Sequence, residues 1–416
     1  MTLIKTSILT FISTAIKMIA ALAINKAVAF YIGPAGLALI GQFQNFSQLV
    51  MSTATGGIKS GVTKYVAEYG KDNERIPILF GTASKISLVS SLIVGAGLVL
   101  LSSHSSRFFL KSEDYTYIFV IFGFTILLFV VNNLLLSIIN GLKEIETWIK
   151  INIIQSLYIF VFTTLLIIFF GLDGALIASV TNQSVILLIV LWMLRKHPVI
   201  KLKKFRSAFD KLEAKKLFEF ALMTITSAAT VPVSNLIIRN YIGENLSWAD
   251  AGYWQAIWYI STMYLMMVTT TLSIYYLPKL SEIRDKVELR KELLNGYKII
   301  MPIVIITATI IFIFKDFVIW LLFTEDFYVM RDLFLWHLVG DVLKIAAWLI
   351  AYIMLAKAMT KTFVTTEIVS SVSFVSLSIV FVNQYGIVGM SYAFALNYTL
   401  YFFAIGWATK KEWAGA

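Results

Sequence analysis

The sequence predicts an all-α, polytopic membrane protein with 12 transmembrane helices in two six-helix lobes, parallel repeats around a central cationic cavity. Three observations predict it. Hydrophobic residues make up 59% of the 416-residue chain and charged residues only 14%, with a mean hydropathy of +0.81, a balance foreign to soluble domains. The apolar residues fall into runs long enough to cross a bilayer, for which about 20 residues suffice. Lys and Arg gather in the short connections on one side of that pattern, as cytoplasmic loops do.

The spans are expected at about 3–31, 37–69, 76–101, 114–140, 145–170, 173–195, 216–241, 247–277, 293–314, 331–357, 362–383 and 386–409. The first contains Lys17 and runs on into the Gly33-Pro34-Ala35-Gly36 hinge, so it reads as a span and not as a cleavable signal peptide. One set of loops carries Lys71 and Arg75, Lys143 and Lys150, residues 195–216, residues 279–298, Lys357 and Lys361, and Lys410 and Lys411. The other carries Arg107, Lys111, Arg239, Lys315 and Arg331, which places both termini in the cytoplasm. Residues 1–195 then form an N-terminal lobe, 196–215 a basic cytoplasmic linker and 216–416 a C-terminal lobe. The linker reads as a solvated connection that sets orientation; the alternative is a surface for anionic lipid headgroups or a cytoplasmic partner.

The two halves look weakly related. Lys26, Tyr31-Ile32-Gly33 and Gly36 precede an aromatic-rich helix with Phe43 and Phe46; Arg239, Tyr241-Ile242-Gly243 and Gly252 precede one with Tyr253, Trp254, Trp258 and Tyr259. Halves of six spans share one orientation, as parallel repeats of transporters do.

Enzyme chemistry is excluded first. The chain has no Cys, its histidines (His104, His197 and His337) lack ligand spacing and read as loop or interface residues, and it has no Gly-rich phosphate loop or nucleophile constellation. No cofactor or metal is expected. The net charge of +11 is spread over loops between apolar spans, which argues against nucleic acid.

What remains is a set of intramembrane polar groups. A lysine near mid-membrane costs a few kcal/mol or more, so Lys17, Lys26, Lys59, Lys64 and Lys85 should face protein or a wet cavity. Lys17 and Lys26 fall on opposite helix faces; Lys26 is assigned to the cavity because Asn25 adjoins it and Arg239 is its counterpart in the second half. Lys64 can snorkel and pair with Glu68 at i,i+4. Asp341 and Lys344, at i,i+3, can neutralise each other or serve the site; Glu367 is a further intramembrane acid. An excess of cations suits a phosphate or diphosphate headgroup. Trp248, Tyr253, Trp254, Trp258, Tyr259 and Tyr264 read as helix packing first and as sugar-stacking rings second.

Several strings carry a family resemblance: Gly33-Pro34-Ala35-Gly36-Leu37, Gly61-Val62-Thr63-Lys64-Tyr65-Val66-Ala67, Ser247-Trp248 with Gly252, Trp254 and Gln255, and Met330-Arg331-Asp332-Leu333-Phe334 continuing to Leu338-Val339-Gly340-Asp341-Val342-Leu343-Lys344. Over nearly its whole length the chain resembles the Wzx-type flippases of the multidrug/oligosaccharidyl-lipid/polysaccharide exporter superfamily, in the branch serving O-antigen and enterobacterial common antigen repeat units. The resemblance implies a bacterial inner-membrane transporter that moves an undecaprenyl-diphosphate-linked oligosaccharide from the cytoplasmic to the periplasmic leaflet by alternating access. Lys26, Lys64, Arg239, Asp341 and Lys344 fall on family-like strings. Substrate binding is assigned to Lys26, Lys59, Lys64, Arg239 and Lys344, with Lys59 added as an intramembrane cation off those strings. H⁺ or Na⁺ coupling is assigned to Asp341 or another acid, and a polymerase and a chain-length regulator are candidate partners beside membrane lipids. The resemblance would lead one to expect an arginine near Gln44; its absence makes Lys59 the candidate to supply that charge. The competing readings are a drug/cation antiporter of the same superfamily, which would want intramembrane acids, a peptidoglycan-precursor flippase, which would want fourteen spans, and a membrane polymerase, which would want larger external loops.

Overall fold

The computed structural model describes residues 3–70, 73–357 and 359–413; Lys71, one of the loop cations, lies outside them. Every regular element among the described residues is helical. The main helices are α1 (Leu3–Tyr31), α2 (Gly33–Ala54), α3 (Lys59–Tyr69), α4 (Arg75–Leu100), α5 (Thr116–Gly141), α6 (Ile145–Leu194), α7 (Lys211–Asn245), α8 (Trp248–Thr271), α9 (Lys286–Ile313), α10 (Phe334–Ala356), α11 (Thr360–Tyr385) and α12 (Gly389–Trp413). Among the described residues, 7 helical stretches are long and apolar enough to cross a membrane, which makes the chain multi-pass. Their outward faces are apolar too. Leu100 is 83% exposed, Trp407 82% and Phe124 73%, a surface suited to lipid and hostile to water.

The chain packs as two compact units, residues 1–32 with 39–232 and residues 33–38 with 233–416, so the division passes through α7 at Pro232.

In the first unit small residues and polar bonds bring helices together, as they must where lipid supplies no hydrophobic drive between helices. A Cβ on Gly95 of α4 would lie 2.6 Å from the Gly123 carbonyl oxygen of α5, so only glycine permits that approach. Between α5 and α6, Thr125 Oγ1 donates to the Val180 carbonyl at 2.9 Å, Ser184 Oγ to the Thr125 carbonyl at 3.0 Å, and Asn132 Nδ2 to Gln183 Oε1 at 3.0 Å. Helix α6 is interrupted at Gly171 (φ 55°, ψ −127°). Its two arms run antiparallel, with Asn182 Nδ2 reaching Thr163 Oγ1 at 3.0 Å.

The expected span 37–69 is not continuous. Gly56 and Gly57 adopt φ of +65° and +64°, ending α2, and α3 restarts at Lys59. Interrupted helices in membranes free backbone groups and place side chains at the break, so Lys59 stands in the first turn of a half-helix. The second half has its own interruption. Residues Leu272–Tyr276 form a π-turn after α8, two residues before Pro278, whose missing N–H cannot continue the helical bonding. The offset that maps Gly36 onto Gly252 maps Gly56 onto Leu272, so the two breaks fall at matching places.

Gly57→Ala tests the first break. Left-handed backbone costs a non-glycine residue about 1–2 kcal/mol, and the new Cβ would lie 2.9 Å from the Ala221 carbonyl oxygen. The expected outcome is a lower melting temperature in detergent, while an unchanged melt would show that position 57 does not need this conformation.

The basic stretch 196–215 exposes most of its charged side chains but is anchored by its apolar ones. Its apolar residues dock on the first unit: Val199 is buried, Ile200 and Phe205 pack on the same core, and the Phe205 ring stacks on Phe80 with centroids 5.2 Å apart. His197 Nδ1 accepts from the Val199 and Ile200 amides at 3.2 Å each, which leaves Nε2 to donate to Glu144 at 2.9 Å. Glu213, 3% exposed, accepts from Tyr69 OH at 2.8 Å and from Lys216 Nζ at 3.0 Å. The lysines point outward because the intervening apolar side chains take the inner face.

Candidate functional site

Each unit presents its own set of the expected residues. In the first unit Lys26 lies near the end of α1, half-buried beside the buried Asn25. Lys59 stands at the α2–α3 break and helps line a small recess with Thr55, Asn133 and Ser137. Lys64 is exposed and lies 5.0 Å from the Tyr65 ring centroid; among the described residues Glu68 makes no ion pair, so the expected Lys64–Glu68 bridge is not formed. Lys85 is occupied structurally, donating to the Ser207 carbonyl at 3.1 Å.

The second unit gathers a denser constellation. On α10 the spacing i, i+4, i+7 puts His337, Asp341 and Lys344 along one face. Asp341 is fully buried. Its Oδ2 accepts from Ser261 Oγ at 2.6 Å and Tyr264 OH at 2.9 Å, both from α8, while Oδ1 has no hydrogen-bond partner. The i,i+3 neutralisation by Lys344 does not occur as a close pair, since no N–O distance between them falls within 4.0 Å. Lys344 turns instead into an aromatic cage, 5.4 Å from the Trp258 ring, 5.0 Å from Trp348 and 5.8 Å from Tyr398. Each such contact is worth about 0.5–2 kcal/mol, the more so away from water.

Trp258 joins this cage to its surroundings. It meets Trp254 edge-on at 5.9 Å and Phe394 at 5.8 Å, and Phe394 stacks flat on His337 at 4.4 Å. His337 is therefore a buried helix residue rather than the loop or interface residue expected. Arg239 is 1% exposed, donates to Gln255 Oε1 and lies 5.4 Å from the Trp254 ring. Glu367 accepts from Tyr401 OH at 2.5 Å.

The aromatic residues of α8 thus serve the interior of the second unit as packing and as cation partners. Trp348, Tyr398, Ser261 and Gln255 gained their roles only in the fold. The i,i+4 spacing of Lys344 and Trp348 was the one local signal, because the other partners come from separate helices. Chemically, a buried carboxylate among hydroxyls with one oxygen uncommitted can accept a proton or a monovalent cation. A lysine ammonium seated among ring faces is in an environment that favours its cationic form.

Two family models match the chain, one described as "Polysaccharide biosynthesis protein" over residues 3–284 and one as "Lipid II flippase MurJ" over residues 199–416. The "Lipid III flippase" of Escherichia coli (strain K12) is 30% identical over 402 residues, covering 97% of both chains, and that of Shigella flexneri matches equally. An inward-facing multidrug resistance MATE family transporter of the MOP superfamily superposes with a TM-score of 0.77 at 17% identity, covering 94% of each chain. The lipid II flippase MurJ in an inward closed conformation gives 0.72 at 16% identity, covering 98% of this chain and 87% of its own. The solved structures speak to the fold alone.

Proposed function

The chain belongs to the polysaccharide biosynthesis protein family, and we infer that it is a flippase for lipid-linked oligosaccharides, a transporter and not an enzyme. The observation that carries this reading is the match to lipid III flippases along 97% of both chains. The intramembrane lysines agree with it, since a drug-cation antiporter has no use for Lys59 and Lys344 without carboxylate partners.

The finer scheme is our proposal. The cargo is an undecaprenyl-diphosphate oligosaccharide of the O-antigen or enterobacterial common antigen type, carried from the cytoplasmic to the periplasmic leaflet of the inner membrane, with both termini cytoplasmic. The chain crosses twelve times as two six-helix lobes, 1–195 and 216–416, that alternate in access. Lys26, Lys59, Lys64, Arg239 and Lys344 supply positive charge to the diphosphate, and Asp341 carries the coupling H⁺ or Na⁺. Membrane potential contributes as well, at about 2.3 kcal/mol per elementary charge per 100 mV. A polymerase and a chain-length regulator would receive the product.

The test is translocation in proteoliposomes of a labelled polyprenyl-diphosphate oligosaccharide, read with an impermeant probe. Wild type should move the lipid, and Lys59→Ala and Lys26→Ala should slow it at least tenfold at matched reconstitution. No movement by wild type under any ion gradient would overturn the flippase reading, whereas equal rates for all three would remove these lysines from the site.

A further inference from the structure

An apolar groove of about 380 Å³ opens in the first unit between α4, α5 and the second arm of α6, closed at one end by the docked basic stretch. Leu88, Val131, Leu135 and Leu191 line its length, Ile200 and Phe205 its end, and Arg195 is its one charged group. That volume lies within the range of about 300–1,000 Å³ typical of small-molecule sites.

Three features say what covers it. The surface around the groove is membrane surface: Leu88 is 45% exposed, Leu191 47% and Trp192 64%. Arg195 is exposed and makes no ion pair among the described residues, its partner there being the Trp192 ring at 4.5 Å. An arginine stacked on a tryptophan where an apolar helix ends marks the headgroup level of a bilayer. The guanidinium keeps a donor fork available that matches phosphate oxygens. The Ser84 hydroxyl at the groove wall is committed to the Phe80 carbonyl at 2.7 Å, so it adds no competing polar demand.

We propose that this groove is a lateral site for one anionic phospholipid of the surrounding leaflet, an acyl chain lying along the leucine and valine lining and the phosphodiester held by Arg195. A single guanidinium balances the single charge of a phosphodiester; a diphosphate carries more charge than this mouth offers. The lipid would bridge α4, α5 and α6 with residues 195–205 and so tie the docked stretch to the first unit. The site does not depend on the identity of the transported cargo.

The experiment is native mass spectrometry of the purified full-length protein in detergent, titrated with phosphatidylglycerol and with phosphatidylcholine. The expected result is one tightly retained phosphatidylglycerol, with phosphatidylcholine at least tenfold weaker. Arg195→Ala should remove the headgroup preference, and Val131→Phe, which fills the groove, should lower retention of both lipids. The paired substitution Lys203→Ala and Arg206→Ala removes exposed charge from the same stretch outside the groove and should leave retention unchanged. Equal losses in that control would overturn the site in favour of diffuse surface attraction. Displacement of phosphatidylglycerol by polyprenyl phosphate at equal concentration would overturn it in favour of the cargo's tail. Melting temperatures within a few degrees of wild type for each variant keep these outcomes separate from misfolding.

Discussion

Asp341→Asn is expected to cut gradient-driven lipid transport at least tenfold while leaving the protein folded. The side chain is fully buried, and asparagine keeps an oxygen in place to accept from Ser261 at 2.6 Å and Tyr264 at 2.9 Å. What disappears is the negative charge and the uncommitted Oδ1, the features a proton or sodium ion would use. Transport should be measured in proteoliposomes with and without imposed pH and sodium gradients, beside a melting curve. The substitution should abolish the response to the coupling gradient and spare slow downhill movement. A wild-type rate with a wild-type gradient response would remove Asp341 from coupling. Lys344→Met supplies the complement: it keeps the long aliphatic stem among Trp258, Trp348 and Tyr398 but deletes the charge. A slower rate there that still rises with the imposed gradient would assign Lys344 to cargo and not to coupling.

Arg239→Ala is expected to lower both stability and transport, and the two losses have different origins. The guanidinium is 1% exposed, and it is the partner of the buried Gln255 Oε1. Removing it leaves that amide oxygen without a donor, a cost of about 1–3 kcal/mol, and withdraws the cation from the Trp254 face. Arg239→Lys restores charge but not the planar fork that serves the amide and the ring together. If Arg239 acts only through positive charge, the lysine variant transports normally with a reduced melting temperature. If it acts through geometry, both variants lose transport. An alanine variant that melts with wild type would refute the internal role drawn from its burial.

The sequence announces some of these residues more clearly than others. Lys59 stood out as an intramembrane cation, but its place at a helix break depended on recognising Gly56-Gly57 as a stop, and glycine pairs inside apolar runs are also common in continuous membrane helices. Asp341 and Lys344 were visible as an i,i+3 pair, and local spacing favoured mutual neutralisation. Partners from other helices decided otherwise. Ser261 and Tyr264 took the carboxylate, while Trp258 and Tyr398 joined Trp348 around the ammonium. Residues 196–215 looked solvated because their lysines dominate the composition, yet Val199, Ile200 and Phe205 are enough to dock the backbone.

By itself the sequence determined that this is a multi-pass helical membrane protein and which family it joins. Both follow from quantities local in the chain: the length of apolar runs, set by bilayer thickness, and short strings such as Gly33-Pro34-Ala35-Gly36. Tertiary structure alone decided which buried charge meets which partner. A buried ion is stabilised by groups within a few ångströms, and in this fold those groups arrive from α8, α10 and α12, separated along the chain by far more than any helical periodicity can report.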